Sequence, residues 1–267
     1  MSATAQRRTT TRSVALPAEH GGWGFLLEPL LLGLLLAPSW AGLAIAFATV
    51  SLFLARQPLK VLILDYRRKR RFNRTAAAER FSALYLMLAL AGAVCAFWLA
   101  GAQVFLPALV ALPFAAIMLF YDAQSNSRHW LPELSGPVAL SASASMIAHA
   151  GGWALLPALG LMLLLATRAL PSIVYVRARL RIAKNKPASR HLAVGAHLVG
   201  ALFALIFALS GQWPWLTAGM HLILIGRMFY SLYVQRPDIP AKVIGFQELG
   251  LGILMVVLTA LGFHLNL

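Results

Sequence analysis

Six of the few ionisable side chains in this 267-residue sequence fall inside or at the edge of hydrophobic stretches: Glu28, Arg56, Lys60, Arg168, Arg227 and Glu248. A charge at membrane depth is costly unless it faces a bundle interior or a watery cavity. Arginine placed there forms paired hydrogen bonds to carboxylate or phosphate, most effectively where water is scarce. Helical spacing groups these residues further. Arg56, Lys60 and Arg67 recur at i, i+4 and i+11, while Arg168, Ser172, Tyr175 and Arg179 form a second stripe. The chain has eight acids, and Glu19, Asp65, Glu79, Asp122, Glu133 and Asp238 all fall towards one surface. That leaves few to spare for Arg56 and Arg168, which points to an anionic ligand. Arg227 and Glu248, at matched depth on consecutive helices, are expected to pair. The expected ligand-binding set is His20, Glu28, Arg56, Gln57, Lys60, Arg168, Tyr175 and Arg177, with His20 and Glu19 as a gate at the cavity mouth.

The elements that must position these residues are membrane helices. Sixty per cent of residues are hydrophobic and 12% charged, far from soluble composition. Apolar runs near the ~20 residues needed to cross a bilayer recur throughout. This predicts an all-α, polytopic helical bundle of about nine spans, roughly 22–38, 39–58, 81–100, 104–121, 134–150, 153–175, 191–210, 215–233 and 243–263. With the N-terminus inside, this count places 21 of the 23 Lys and Arg in or beside inner segments, the other two being Arg168 and Arg227. The turns near Pro38, Gly101, Gly151 and Gly211 carry none. The positive-inside rule then puts the C-terminus outside. A net charge of +15 therefore points to loops facing anionic lipid, not to nucleic acid. The domain reading is a basic tail over 1–20 and one bundle over 21–267, with basic loops at 59–80 and 176–190. The start does not read as a cleavable signal peptide.

The two basic loops follow similar segments: Arg56 then Pro58, and Arg168 then Pro171, each ahead of a positive run. Two four-helix units plus a ninth helix would produce that echo, and the prolines are expected to kink both helices. One cysteine, Cys95, offers neither a disulfide nor a thiolate site. His149, His197, His221 and His264 show no ligand spacing, so no metal or haem site is expected.

Several short motifs, LPAEHGGWGFLLEPLLLG, Arg56-Gln57-Pro58, FYDAQSNSRHWLPELSGPVALSASA and YVRARL, resemble the YwiC-like family of bacterial membrane proteins, in order along nearly the whole chain. That resemblance implies a multi-pass protein of the bacterial inner membrane. Nine spans with loops after the second and sixth also resemble, more distantly, the UbiA superfamily of intramembrane prenyltransferases. There, two Asp-rich motifs hold Mg²⁺ against an isoprenoid diphosphate. Here the acids of the first motif give way to Arg67, Arg68 and Lys69 after Asp65, and the second position holds Arg177, Arg179 and Arg181. A Mg²⁺ clamp needs carboxylates that this pattern lacks. The likeness therefore implies a cavity binding an anionic or isoprenoid lipid through arginines, with or without metal-independent group transfer. A structural protein docking a partner or anionic lipid, and a small-anion transporter, are the other two readings.

Overall fold

The computed structural model describes residues 13–17, 20–234 and 239–266. Among these residues the regular structure is helical, with no strand. Nine α-helices of fifteen residues or more follow in order: α1 His20–Leu36, α2 Trp40–Arg67, α3 Thr75–Ala100, α4 Leu106–Ala123, α5 Trp130–Ala150, α6 Leu155–Ile182, α7 Arg190–Leu209, α8 Trp215–Phe229 and α9 Ala241–Leu265. Local chemistry sets their ends. Ser39 Oγ accepts from Gly42 N to cap α2, and Ser189 Oγ accepts from Leu192 N to cap α7. Gly101, Gly152 and Gly211 take positive φ in the short turns after α3, α5 and α7, where other residues are strained.

Six segments are long and apolar enough to cross a membrane: Trp40–Arg67, Thr75–Ala100, Ala102–Ala123, Leu155–Ile182, Arg190–Leu209 and Ala241–Leu265. This is a multi-pass helical membrane protein. The sequence reading expected nine such spans. α1 is apolar but shorter. α5 carries a Ser- and Ala-rich stretch, Ser141-Ala142-Ser143-Ala144-Ser145, with every one of these residues buried. A helix surrounded by others needs small residues for close approach more than it needs apolar ones. α5 packs on α1, α2, α4 and α6, and so is the post of the bundle.

The expected duplication is not matched in the packing. In the second half α6 packs on α7, α7 on α8 and α8 on α9, whereas in the first half α3 packs on α2, α4 packs on α5, and α3 and α4 hardly touch. Both prolines lie within continuous helices, Pro58 in α2 and Pro171 in α6. Proline leaves the carbonyl four residues back without its helical donor. At Pro171 that carbonyl belongs to Thr167, and Gly200 of α7 sits directly against it. At the end of the bundle away from the basic loops, Phe207 stacks on Trp213 with centroids 4.4 Å apart, and Trp153 meets Phe263 edge-on.

Candidate ligand-binding cavity

α1 to α6 and α9 enclose a cavity of about 1000 Å³. Its charged lining comprises Glu28, Arg56, Glu133, Arg168, Arg177 and Glu248. Along α2 the lining runs from Arg56 to Ile45, eleven residues or about 16 Å of helix rise. Past Arg56 the walls supplied by α2, α3 and α4 are almost wholly apolar, including Leu52, Phe53, Ala89, Leu90 and Leu112, whereas the Glu28–Arg168–Glu248 cluster lines the opposite side. The result is an amphipathic chamber, with Arg177 and Arg56 nearer the basic loops, a paired charge cluster on one side at mid-depth and apolar walls on the other.

Arg56 and Arg168, far apart in sequence, both line this chamber. Each has a carboxylate, contrary to the expectation that acids were too few. Arg56 donates through Nε to Asp122 Oδ2 at 2.7 Å and through NH2 to Oδ1 at 3.2 Å. Lys60 lies 3.7 Å from Asp122 Oδ1 and bonds Ser127 Oγ, and Arg67 NH1 reaches the Ala123 carbonyl. The α2 stripe thus clasps the end of α4, with Asp122 buried. Sequence placed Asp122 at the surface because it ends its own hydrophobic run; it is α2 that covers it.

Arg168, only 2% exposed, donates NH1 to both oxygens of Glu28 at 2.7 and 2.9 Å. Its NH2 reaches the Glu248 carbonyl at 2.5 Å. Glu248 in turn faces Arg227 NH1 at 2.8 Å, the ion pair expected from consecutive helices. Two arginines and two glutamates therefore link α1, α6, α8 and α9. Gly252 makes room: a methyl group there would overlap the Glu28 carboxylate.

The remaining expected residues divide. Arg177 lines the chamber, bonded to Glu133 and to the Arg128 carbonyl at 3.4 Å, and this pair is about one-third exposed. Tyr175 is not in the lining; it is buried between α6 and α8, its hydroxyl donating to Ser231 at 2.7 Å and its ring stacked under Arg227 at 3.9 Å. One stripe of α6 holds both Arg168 and Tyr175, but only part of that stripe meets the cavity. Gln57 also lies outside the lining and donates to the Ser13 carbonyl at 3.2 Å. The His20 side chain and Glu19 lie outside the described residues, as does the tail before Ser13.

Ser172 is the residue that sequence reasoning used only as a member of a stripe. It is 1% exposed, lines the chamber one turn from Arg168, and its Oγ has no hydrogen-bond partner. A serine on the Arg168 stripe, between Arg168 and Arg177 in sequence, was the available signal. Asp65, the residue nearest to a first Asp-rich motif, is fully buried and accepts from Arg74 NH2 at 2.7 Å and Thr75 Oγ1 at 2.8 Å. It locks the α2–α3 loop. That hydrogen bond holds the Arg74 guanidinium above its ordinary pKa. Among the described residues no three His, Cys, Asp or Glu side chains group as a metal site.

Residues 16–148 match the family model for YwiC-like protein. Over this stretch the chain belongs to the YwiC-like family. No curated protein and no solved structure matches it. The YwiC-like segment supplies Glu28, Arg56, Asp122 and Glu133, whereas Arg168, Ser172, Arg177 and Glu248 lie beyond it. The chamber is therefore built from both halves of this YwiC-like protein.

Proposed function

We propose that this YwiC-like protein holds an anionic, phosphorylated lipid, of isoprenoid or acyl type, with its head towards Arg177 and Arg56 and its chain in the apolar depth. The observation that carries the reading is the chamber itself: about 1000 Å³, lined by Arg56, Arg168 and Arg177 and otherwise largely apolar, with Ser172, whose buried hydroxyl lacks a partner, among its lining residues. Unpaired buried polar groups cost about 1–3 kcal/mol, so a ligand oxygen bonded to Ser172 recovers that penalty. Arg177 is the most available cation. Its pair with Glu133 is partly solvated, and such pairs are worth about 0–1 kcal/mol, so phosphate competes for it readily. A nine-span, UbiA-like arrangement with the basic loops in a bacterial cytoplasm belongs to the same proposal and would put the head group on the inner side of the membrane.

Binding through guanidinium in place of metal is the chemical core of the proposal. The acids lining the chamber are already engaged, Glu28 and Glu133 by arginines and Glu248 by Arg227. Farnesyl diphosphate and dioleoyl phosphatidic acid, added to detergent-purified protein and followed by native mass spectrometry, test it. Binding should survive EDTA and weaken about tenfold in Arg177→Gln, the loss of about 1.4 kcal/mol. Binding abolished by EDTA, or indifferent to Arg177→Gln and Ser172→Ala together, overturns the reading. A structural role is favoured for one part of the molecule, the Glu28–Arg168–Glu248–Arg227 chain, whose charges are satisfied internally.

A further inference from the structure

We infer that the chamber opens sideways into the bilayer between α3 and α4, and that its lipid enters and leaves through this gap; this rests on the proposed binding of a lipid. Consecutive helices joined by a short turn ordinarily pack as antiparallel neighbours. α3 and α4 do not. α3 is held by α2 and α4 by α5, and the two share almost no contact along their length. Their counterparts in the second half, α7 and α8, do pack on each other, so the opening is not a general habit of these hairpins.

The side chains at the gap face both ways. Leu86 and Leu90 of α3 and Leu112 of α4 line the chamber, yet they are 40%, 65% and 59% exposed. Exposure this large on cavity-lining leucines fits a place where cavity and exterior meet. Around them stand Ala93, Ala108 and Ala115, half-buried small side chains that line the chamber. No charged or hydrogen-bonding side chain stands in either row. Such an opening is unsuited to an aqueous ion and suited to a hydrocarbon chain.

The occupant is therefore a membrane lipid whose chain slides between α3 and α4 while its phosphate travels at the level of the basic loops. Along α6, Arg177 lies five residues, about 8 Å, from the end at Ile182, so the head need not cross the apolar depth. A soluble prenyl diphosphate could reach the same head-group residues from the loop side without using the gap. The two sources are thus separable.

The test tethers the gap. In a Cys95→Ala background, Leu90→Cys and Leu112→Cys are joined by a short bis-maleimide, with the same cysteines methyl-capped as control. Transfer of labelled phosphatidic acid from phosphatidylcholine vesicles should slow at least tenfold in the tethered protein. Tethering should change farnesyl diphosphate loading from solution no more than about twofold relative to the methyl-capped control carrying the same two cysteines. Unchanged phosphatidic acid transfer that still depends on Arg177 overturns the lateral opening and leaves the binding reading standing. Loss of both probes on tethering also overturns the opening, because the head-group end does not lie in the gap. No Arg177- or Ser172-dependent binding in the untethered protein removes the lipid reading itself, and the opening with it.

Discussion

Ser172 separates a binding chamber from an inert one because the two make opposite demands on its hydroxyl. In an inert core, an unpartnered buried hydroxyl only costs stability, so Ser172→Ala leaves thermal stability equal or higher. In a chamber that takes a phosphate, the same change removes a donor to the ligand. We expect Ser172→Ala to unfold at the same or a higher temperature while phosphatidic acid binding weakens by roughly 2–10-fold, the net worth of one hydrogen bond. Arg168 behaves differently. With its partner Glu28 it is a buried pair, and removing one member of such a pair costs about 3–5 kcal/mol, whereas replacing both with apolar groups is often tolerated. Arg168→Met alone should therefore lower the unfolding temperature in detergent far more than Arg168→Met with Glu28→Met. Equal loss in the single and double variants would show that the pair is not what Arg168 contributes.

Among the helices, what was legible in sequence was whatever depends on rise and turn along one element. The matched depth of Arg227 and Glu248 followed from 1.5 Å per residue, and their pairing from adjacency in the chain. Arg56–Asp122 and Arg168–Glu28 span 66 and 140 residues, and no periodicity announces which distant helix a stripe will face. The turning away of Tyr175 from the chamber was hidden for the same reason. Proline illustrates the limit at Pro171. Its kinking tendency was readable, but the tight seat it shares with Gly200 depends on how α7 crosses α6. A methyl group at Gly200 would press on the Thr167 carbonyl. Overpacking of this kind costs about 1–3 kcal/mol, so Gly200→Ala should destabilise the protein, while Ala at Gly195, where nothing crowds the position, should not. Thermal unfolding of the two variants side by side reads this directly.

At the scale of the whole molecule, the proposed orientation, with the basic loops towards the cytoplasm, rests on the charge distribution. The loop between α2 and α3 carries Arg68, Lys69, Arg70, Arg71 and Arg74, whereas the turn between α7 and α8, Ser210 to Pro214, carries no charge. Holding a basic loop on the side of anionic lipid is favourable by about 1 kcal/mol per residue near the surface. Reversing the bundle would forfeit several such terms at once. It would also turn the head-group end of the chamber away from the cytoplasm, where soluble phosphorylated precursors are made. Single cysteines at exposed positions of the two ends decide the matter in a Cys95→Ala background. In intact spheroplasts a membrane-impermeant maleimide should label Ser210→Cys and spare Asn73→Cys, with both labelled after lysis. Labelling of Asn73→Cys before lysis would invert the molecule, and any ligand approaching from the loop side would then come from outside the cell.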